Sequence, residues 1–126
     1  MPQPHTFGPG PFTLLCDGRP VARVAVADTS ATRRKGLLGT DRVDGALWIT
    51  RCPSVHMIGM RYPIDVAVLD RAGVVLRTKT IRAWTGGTFF SRGAADTLEA
   101  AAGELARWGV VAGSLLSVDR GAVSPD

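Results

Sequence analysis

Long apolar runs, cysteines and aromatic residues are scarce in this chain of 126 residues, and the scarcities remove whole classes of protein. No apolar stretch approaches the roughly 20 residues that a membrane-spanning helix needs, so no membrane association is expected. The opening residues, "MPQPHTFGPGPFTLL", lack the basic segment and apolar run of a secretory signal. The expected location is therefore the cytoplasm, with Cys16 and Cys52, the only two cysteines, as reduced thiols. Without a Cys-x-x-Cys, neither a zinc ribbon nor a thioredoxin-type redox site is signalled. Phosphate-cradling glycine loops and the His-Glu-x-x-His of metalloprotease helices are missing as well.

What remains is an ordinary globular composition, 45% hydrophobic and 21% charged, enough for one modest core. Fifteen basic residues against eleven acidic ones give a net charge of +4, which bears on solubility and weak attraction to polyanions rather than on fold. The imbalance is concentrated between Arg71 and Ala95, where Arg71, Arg77, Lys79, Arg82 and Arg92 meet no acidic residue. A solvated strand face accounts for that run, with an anion-binding face as the functional alternative. Nucleic acid is not expected as a partner. Trp84, Phe89 and Phe90 do stand among Arg82 and Arg92, but no RNA-binding signature accompanies them.

Four of the eight prolines fall in residues 1–11, which are expected to form a flexible leader. Residues 12–119 are expected to form a single domain, and residues 120–126 a tail. "FTLLC", "DGRP" and "VARVAVAD" predict a hairpin bent at Asp17-Gly18. Asp28, Thr29 and Ser30 offer N-caps for a helix of about two turns, with Leu37 and Leu38 turned inward and Arg33, Arg34 and Lys35 outward. "ALWIT", "VHMIGM" and "IDVAVLD" follow as strands, the last apolar on both faces and hence central. A Gly73 turn then leads into "VVLRTKTI", whose basic residues alternate onto one face. "AADTLEAAAGELARWGV" supports either one helix or a strand, "DTLEAA", followed by a short helix. "SLLSVD" ends the domain. Seven or eight short strands and two small helices argue for a mostly-β sandwich or barrel and exclude a doubly wound α/β sheet.

The candidate chemistry lies in "RCPSVHMIGMRYPIDVAVLD". Cys52, His56, Met57 and Met60 are soft donors of the kind that bind Cu(I). Their spacing is poor, because in a strand His56 and Met60 share one face while Met57 lies on the other. No metal and no cofactor is therefore expected. A Cys52–His56 nucleophile pair fares no better, since four residues of extended chain span roughly 13 Å. Asp65 stands out, because an ionised carboxylate in a buried strand must be paired or hydrogen-bonded. Arg34, Arg61, His56 and the backbone of the Tyr62-Pro63 turn are its expected partners. It either fixes that turn or faces a ligand.

The order of "RRKGLLG", "HMIGMRYPIDVAVLDRAGVV" and "TLEAAAGELARWGVVAGSLLSV" resembles that of the bacterial and archaeal proteins grouped as domain of unknown function 192 (DUF192). The resemblance rests on Arg33, Gly36, Leu37 and Leu38, then on Met57, Pro63, Asp65 and the turn at residues 70–73, then on Leu98, Glu99 and Gly103. His56 stands where the family's Trp is usual, and Gly59-Met60 where it has Asn-Thr. The resemblance implies a compact β-sandwich of jelly-roll type with short helices, and it favours strand plus short helix in the C-terminal third. It brings no activity. The expected function is a non-enzymatic binding or accessory module for an unidentified small molecule or protein, its site drawn from His56, Met60, Arg61, Asp65 and Arg34. The alternatives are a hydrolase or transferase using Asp65 or Glu99 with His56 for acid–base chemistry, and weak nucleic-acid binding by Arg77, Lys79 and Arg82.

Overall fold

The computed structural model describes residues 5–53, 59–84 and 91–121. Among the described residues the chain forms β1 (Thr6–Phe7), β2 (Phe12–Cys16), β3 (Arg19–Ala27), α1 (Ser30–Lys35), β4 (Arg42–Val43), β5 (Ala46–Ile49), β6 (Ile64–Leu69), β7 (Val75–Ile81), β8 (Asp96–Ala101), α2 (Glu104–Arg107) and β9 (Leu116–Asp119). Seven strands make one sheet in the order β7-β6-β8-β5-β3-β2-β9, while β1 and β4 pair separately. Within the seven-stranded sheet, neighbours are antiparallel except β3 and β5, and the separate β1–β4 pair is parallel. The expected bend between β2 and β3 is present, with Asp17 and Gly18 at φ 52° and 83°, both positive as a type I′ turn requires.

The sheet curls until its outer strands touch. A bridge joins Val74 to Leu115, Val75 N donates to Ser114 O at 2.8 Å, and Leu116 N donates to Gly73 O at 2.9 Å. All seven strands send side chains into one buried cluster, including Leu14, Val24, Trp48, Leu69, Val75, Leu98 and Leu116, which marks the inside of the curl. Leu105 and Trp108, in and just after α2, join that cluster. The opposite face of the central strands carries Leu47, Ile49, Ile64, Val66 and Val68, covered by Leu37, Val43 and Met60. β6 is buried along its whole length, as its two-faced apolar pattern predicts. This is the mostly-β, sandwich-like architecture expected, with two short helices.

Three details differ from expectation. Residues 5–11 are tied down rather than flexible: β1 pairs with β4, and His5 and Asp41 exchange backbone and side-chain hydrogen bonds at 2.7 and 2.8 Å. No proline pattern announces such a long-range pairing. α1 has the expected length of about two turns, capped by a reciprocal Thr29–Thr32 box, but it ends at Gly36, so Leu37 and Leu38 pack from the turn that follows rather than from the helix. Gly59 lies in a turn and Met60 outside any strand, and the rest of the expected "VHMIGM" strand lies outside the described residues.

Closure of the curl depends on Gly73. Its φ is +92°, and a Cβ there would sit 2.4 Å from Leu116 O, the strand that must approach it. Gly113 has the same φ, with open space around the Cβ position. Gly73→Ala is expected to cost at least ~2 kcal/mol, clearly more than Gly113→Ala. Urea denaturation of both variants measures the difference, and equal losses would show that the close approach does not matter.

Candidate functional site

Two carboxyl groups are buried in the middle of the sheet, Asp65 and Glu99. They belong to paired strands but to different faces. Asp65 lies opposite Ala100, and Glu99 opposite Val66 and Leu47. Successive residues of a strand alternate sides, so Asp65 points into the curl and Glu99 out of it. The two acids cannot share a pocket.

Asp65 is fully engaged. Its Oδ1 accepts from Thr80 Oγ1 at 2.6 Å, and its Oδ2 accepts from the backbone N–H groups of Gly103 and Leu105 at 3.0 and 3.2 Å. Gly103, the N-cap of α2, brings no side-chain oxygen of its own, so Asp65 supplies the acceptor from another strand. Among the described residues, these donors stand in place of the expected Arg34, Arg61 and Tyr62-Pro63 turn. Arg61 instead pairs with Asp41 at 3.0 Å on the surface, and the Tyr62-Pro63 turn does not contribute. Asp65 fastens α2 to the sheet rather than holding its own turn.

Glu99 has the opposite surroundings. Its side chain accepts no hydrogen bond from any described residue, and burial pushes its carboxyl up to about 7. The group borders a small pocket of roughly 100 Å³ between the sheet and the end of α1. Leu37, Ile49 and Met60 form its apolar walls, with Cys52 beside them. Arg33, Arg34 and Lys35, the last turn of α1, line it as well. Gly36 stands over the acid: a Cβ there would lie 3.8 Å from both Glu99 Oε1 and Ile49 Cδ1. Nearby, Tyr62 Oη and Thr40 Oγ1 are 2.7 Å apart, and the Thr40 hydroxyl donates to Leu37 O at 2.6 Å, which holds the 37–40 turn against the site. Burial raises the Tyr62 phenol and the Thr40 hydrogen bond offsets part of that, with the charges of Glu99 and Asp41 adding to the rise.

Of the residues picked from sequence, the pocket brings together Arg34, Met60, Glu99 and Cys52. Asp65 and Arg61 lie elsewhere, and His56 and Met57 are outside the described residues. Arg33, Lys35 and Gly36 were not picked as site residues. The signal for them was present as "RRKG", a basic helix end followed by a glycine at φ 50°.

The comparisons with known proteins concern the fold. The DUF192 family model, described as "Uncharacterized ACR", matches residues 13–118. No curated protein matches the chain. A solved structure from Sinorhizobium meliloti 1021, described as a candidate transcription regulator, is similar with a TM-score of 0.73 at 20% identity, over 85% of this chain and 92% of that one. A protein of unknown function from Novosphingobium aromaticivorans DSM 12444 is similar with a TM-score of 0.68 at 21% identity, over 85% of this chain and 83% of that one. No described helix is long and apolar enough to cross a membrane.

The two acids make separable predictions. Glu99 binds its proton more tightly in the fold than in the unfolded chain, where the carboxyl has its ordinary value of 4.5. Its contribution to stability is therefore full below pH ~4.5 and is lost as pH rises towards about 7, with a slope on the order of 1.4 kcal/mol per pH unit. Glu99→Gln is expected to remove that slope and to be more stable than the parent at pH 8, as denaturation curves at pH 5 to 8 would show. Asp65→Asn can turn its oxygen to the two amides and donate its NH2 to the Thr80 hydroxyl, but it gives up the charge that strengthens all three bonds. A loss of about 1.5–3 kcal/mol is expected, with the site over Glu99 left intact.

Proposed function

Starting from a chain that belongs to the DUF192 family, we propose that the domain is a binding module for a compact acid, seated in the pocket over Glu99. The observation that carries this reading is a buried carboxyl with no described hydrogen-bond partner, facing a pocket that three cationic residues also line. A protonated carboxyl can donate to an anion, and Arg33, Arg34 and Lys35 favour negative charge at the entrance. A ligand cation would meet three like charges on the way in. The volume suits a small group, since roughly 100 Å³ is the share of about three water molecules.

Proton linkage supplies the test. Acetate titrated into the intact chain and followed by amide chemical shifts is expected to bind better at pH 6 than at pH 8. The fall approaches tenfold per pH unit once Glu99 ionises. Glu99→Gln stays neutral and is expected to bind with no such pH dependence. Equal acetate affinity at both pH values in the parent, or the same pH dependence in the variant, would remove the reading.

A carboxyl poised near neutrality is also what acid–base catalysis uses. His56, the expected partner, lies outside the described residues, and Asp65 faces the other side of the sheet. The description of the Sinorhizobium meliloti protein favours nucleic acid as an alternative partner. On this chain it would engage the exposed Arg77 and Lys79 of β7 together with Arg82. Binding of that kind weakens steeply with salt, and a flat salt response would exclude it.

A further inference from the structure

The end of α1 borders a second cavity on the same face of the sheet. This one holds roughly 270 Å³ and is lined by Phe7 of the docked N-terminal arm, Ala25 of β3 and Leu47 of β5. Lys35 and Gly36 line both cavities. Ala25 pairs with Leu47 and Ala27 with Ile49, so one row of side chains runs from the apolar slot towards the wall of the polar pocket. Gly36, lacking a side chain, stands between the two with Glu99 Oε1 and Ile49 Cδ1 within 4 Å of its Cβ position. A small polar pocket over an acid, cations at its edge and an apolar slot across a glycine together match an amphiphile.

We propose that the two cavities form one site for a short-chain aliphatic carboxylic acid, its carboxyl over Glu99 and its hydrocarbon chain across Gly36 in the slot. This rests on the reading of the Glu99 pocket and adds the class of ligand. Buried beside one another, two carboxyl groups cannot both ionise, so the ligand and Glu99 share a proton. Among the described residues, the charged and titratable groups that line the pocket with Glu99 are Arg33, Arg34 and Lys35 from α1 and Cys52, with Tyr62 close enough to feel its charge, and none from β5 or β6, where its neighbours are Leu47 and Val66. One negative charge then remains, and Lys35, common to both cavities, stands where it can neutralise it. The slot has the share of about nine water-sized groups, enough for a chain of several methylenes.

The test is a chain-length series of acetate, butyrate, hexanoate and octanoate, titrated at pH 6 into the intact chain below the micellar range. Affinity is expected to rise about two- to four-fold per added methylene until the slot is full. Ala25→Leu, which fills the slot, is expected to remove that gain. Should the variant misfold, NMR contacts between the octanoate chain and Phe7 and Leu47 in the parent serve instead. If acetate binds but the series is flat, the slot proposal fails and the pocket reading stands. If no acid binds, acetate included, both fail. A gain that persists in folded Ala25→Leu, or that 1-octanol reproduces in full, would show non-specific adsorption and overturn the proposal.

Discussion

A carboxylate taken out of water must find donors or give up its charge, and the two acids buried in this sheet meet that requirement in opposite ways. Asp65 finds three donors, two of them backbone N–H groups at the start of α2. Glu99 finds none among the described residues and keeps its proton up to about neutrality. One strand register decides both outcomes. Shifting β8 by one residue would turn Glu99 into the curl, where Asp65 already points, and would carry the start of α2 out of line with its acceptor.

The curl makes the two faces unequal. On the inside, seven strands and the α2 region close over a continuous apolar cluster, so an acid is tolerable there only when fully bonded. On the outside, the central strands are covered by Leu37, Val43, Met60 and Tyr62 and by Phe7 of the N-terminal arm, and this looser cover leaves room beside α1. The gap is a consequence of the fold. A six-residue helix ending on a glycine cannot cover three strands, and none of its own residues is buried.

Much of this was legible in the sequence. The pattern of "IDVAVLD", apolar on both faces, identified the central strand, Asp17-Gly18 and Gly73 identified hairpins, and the order of motifs identified the family. Asp65 was singled out correctly as a buried carboxylate needing partners, but the partners were sought nearby. Its actual donors lie 15, 38 and 40 positions away, and they depend on where β7 and β8 fall in the sheet, which no local pattern encodes. The docking of residues 5–11 was hidden for the same reason, since β1 finds β4 across 36 positions. Glu99 was visible as a lone acid in "TLEAA", yet its face could be assigned only once β8 was placed between β5 and β6.

The basic end of α1 has two physical readings, and Glu99 separates them. Cations in the last turn of a helix suit its dipole, by a few tenths of a kcal/mol in an exposed setting, and that alone would account for Arg33, Arg34 and Lys35. If one of them reached Glu99, the acid would be an ion pair and its proton would be lost more easily than usual. The opposite holds: burial dominates and the proton is retained. Cation and acid therefore line the same pocket without neutralising each other. That arrangement costs stability at neutral pH, because an ionised Glu99 would be buried without a partner. An anion placed between them, carrying or sharing a proton, relieves both sides at once. The stability given up in the empty domain is then the source of the site's affinity.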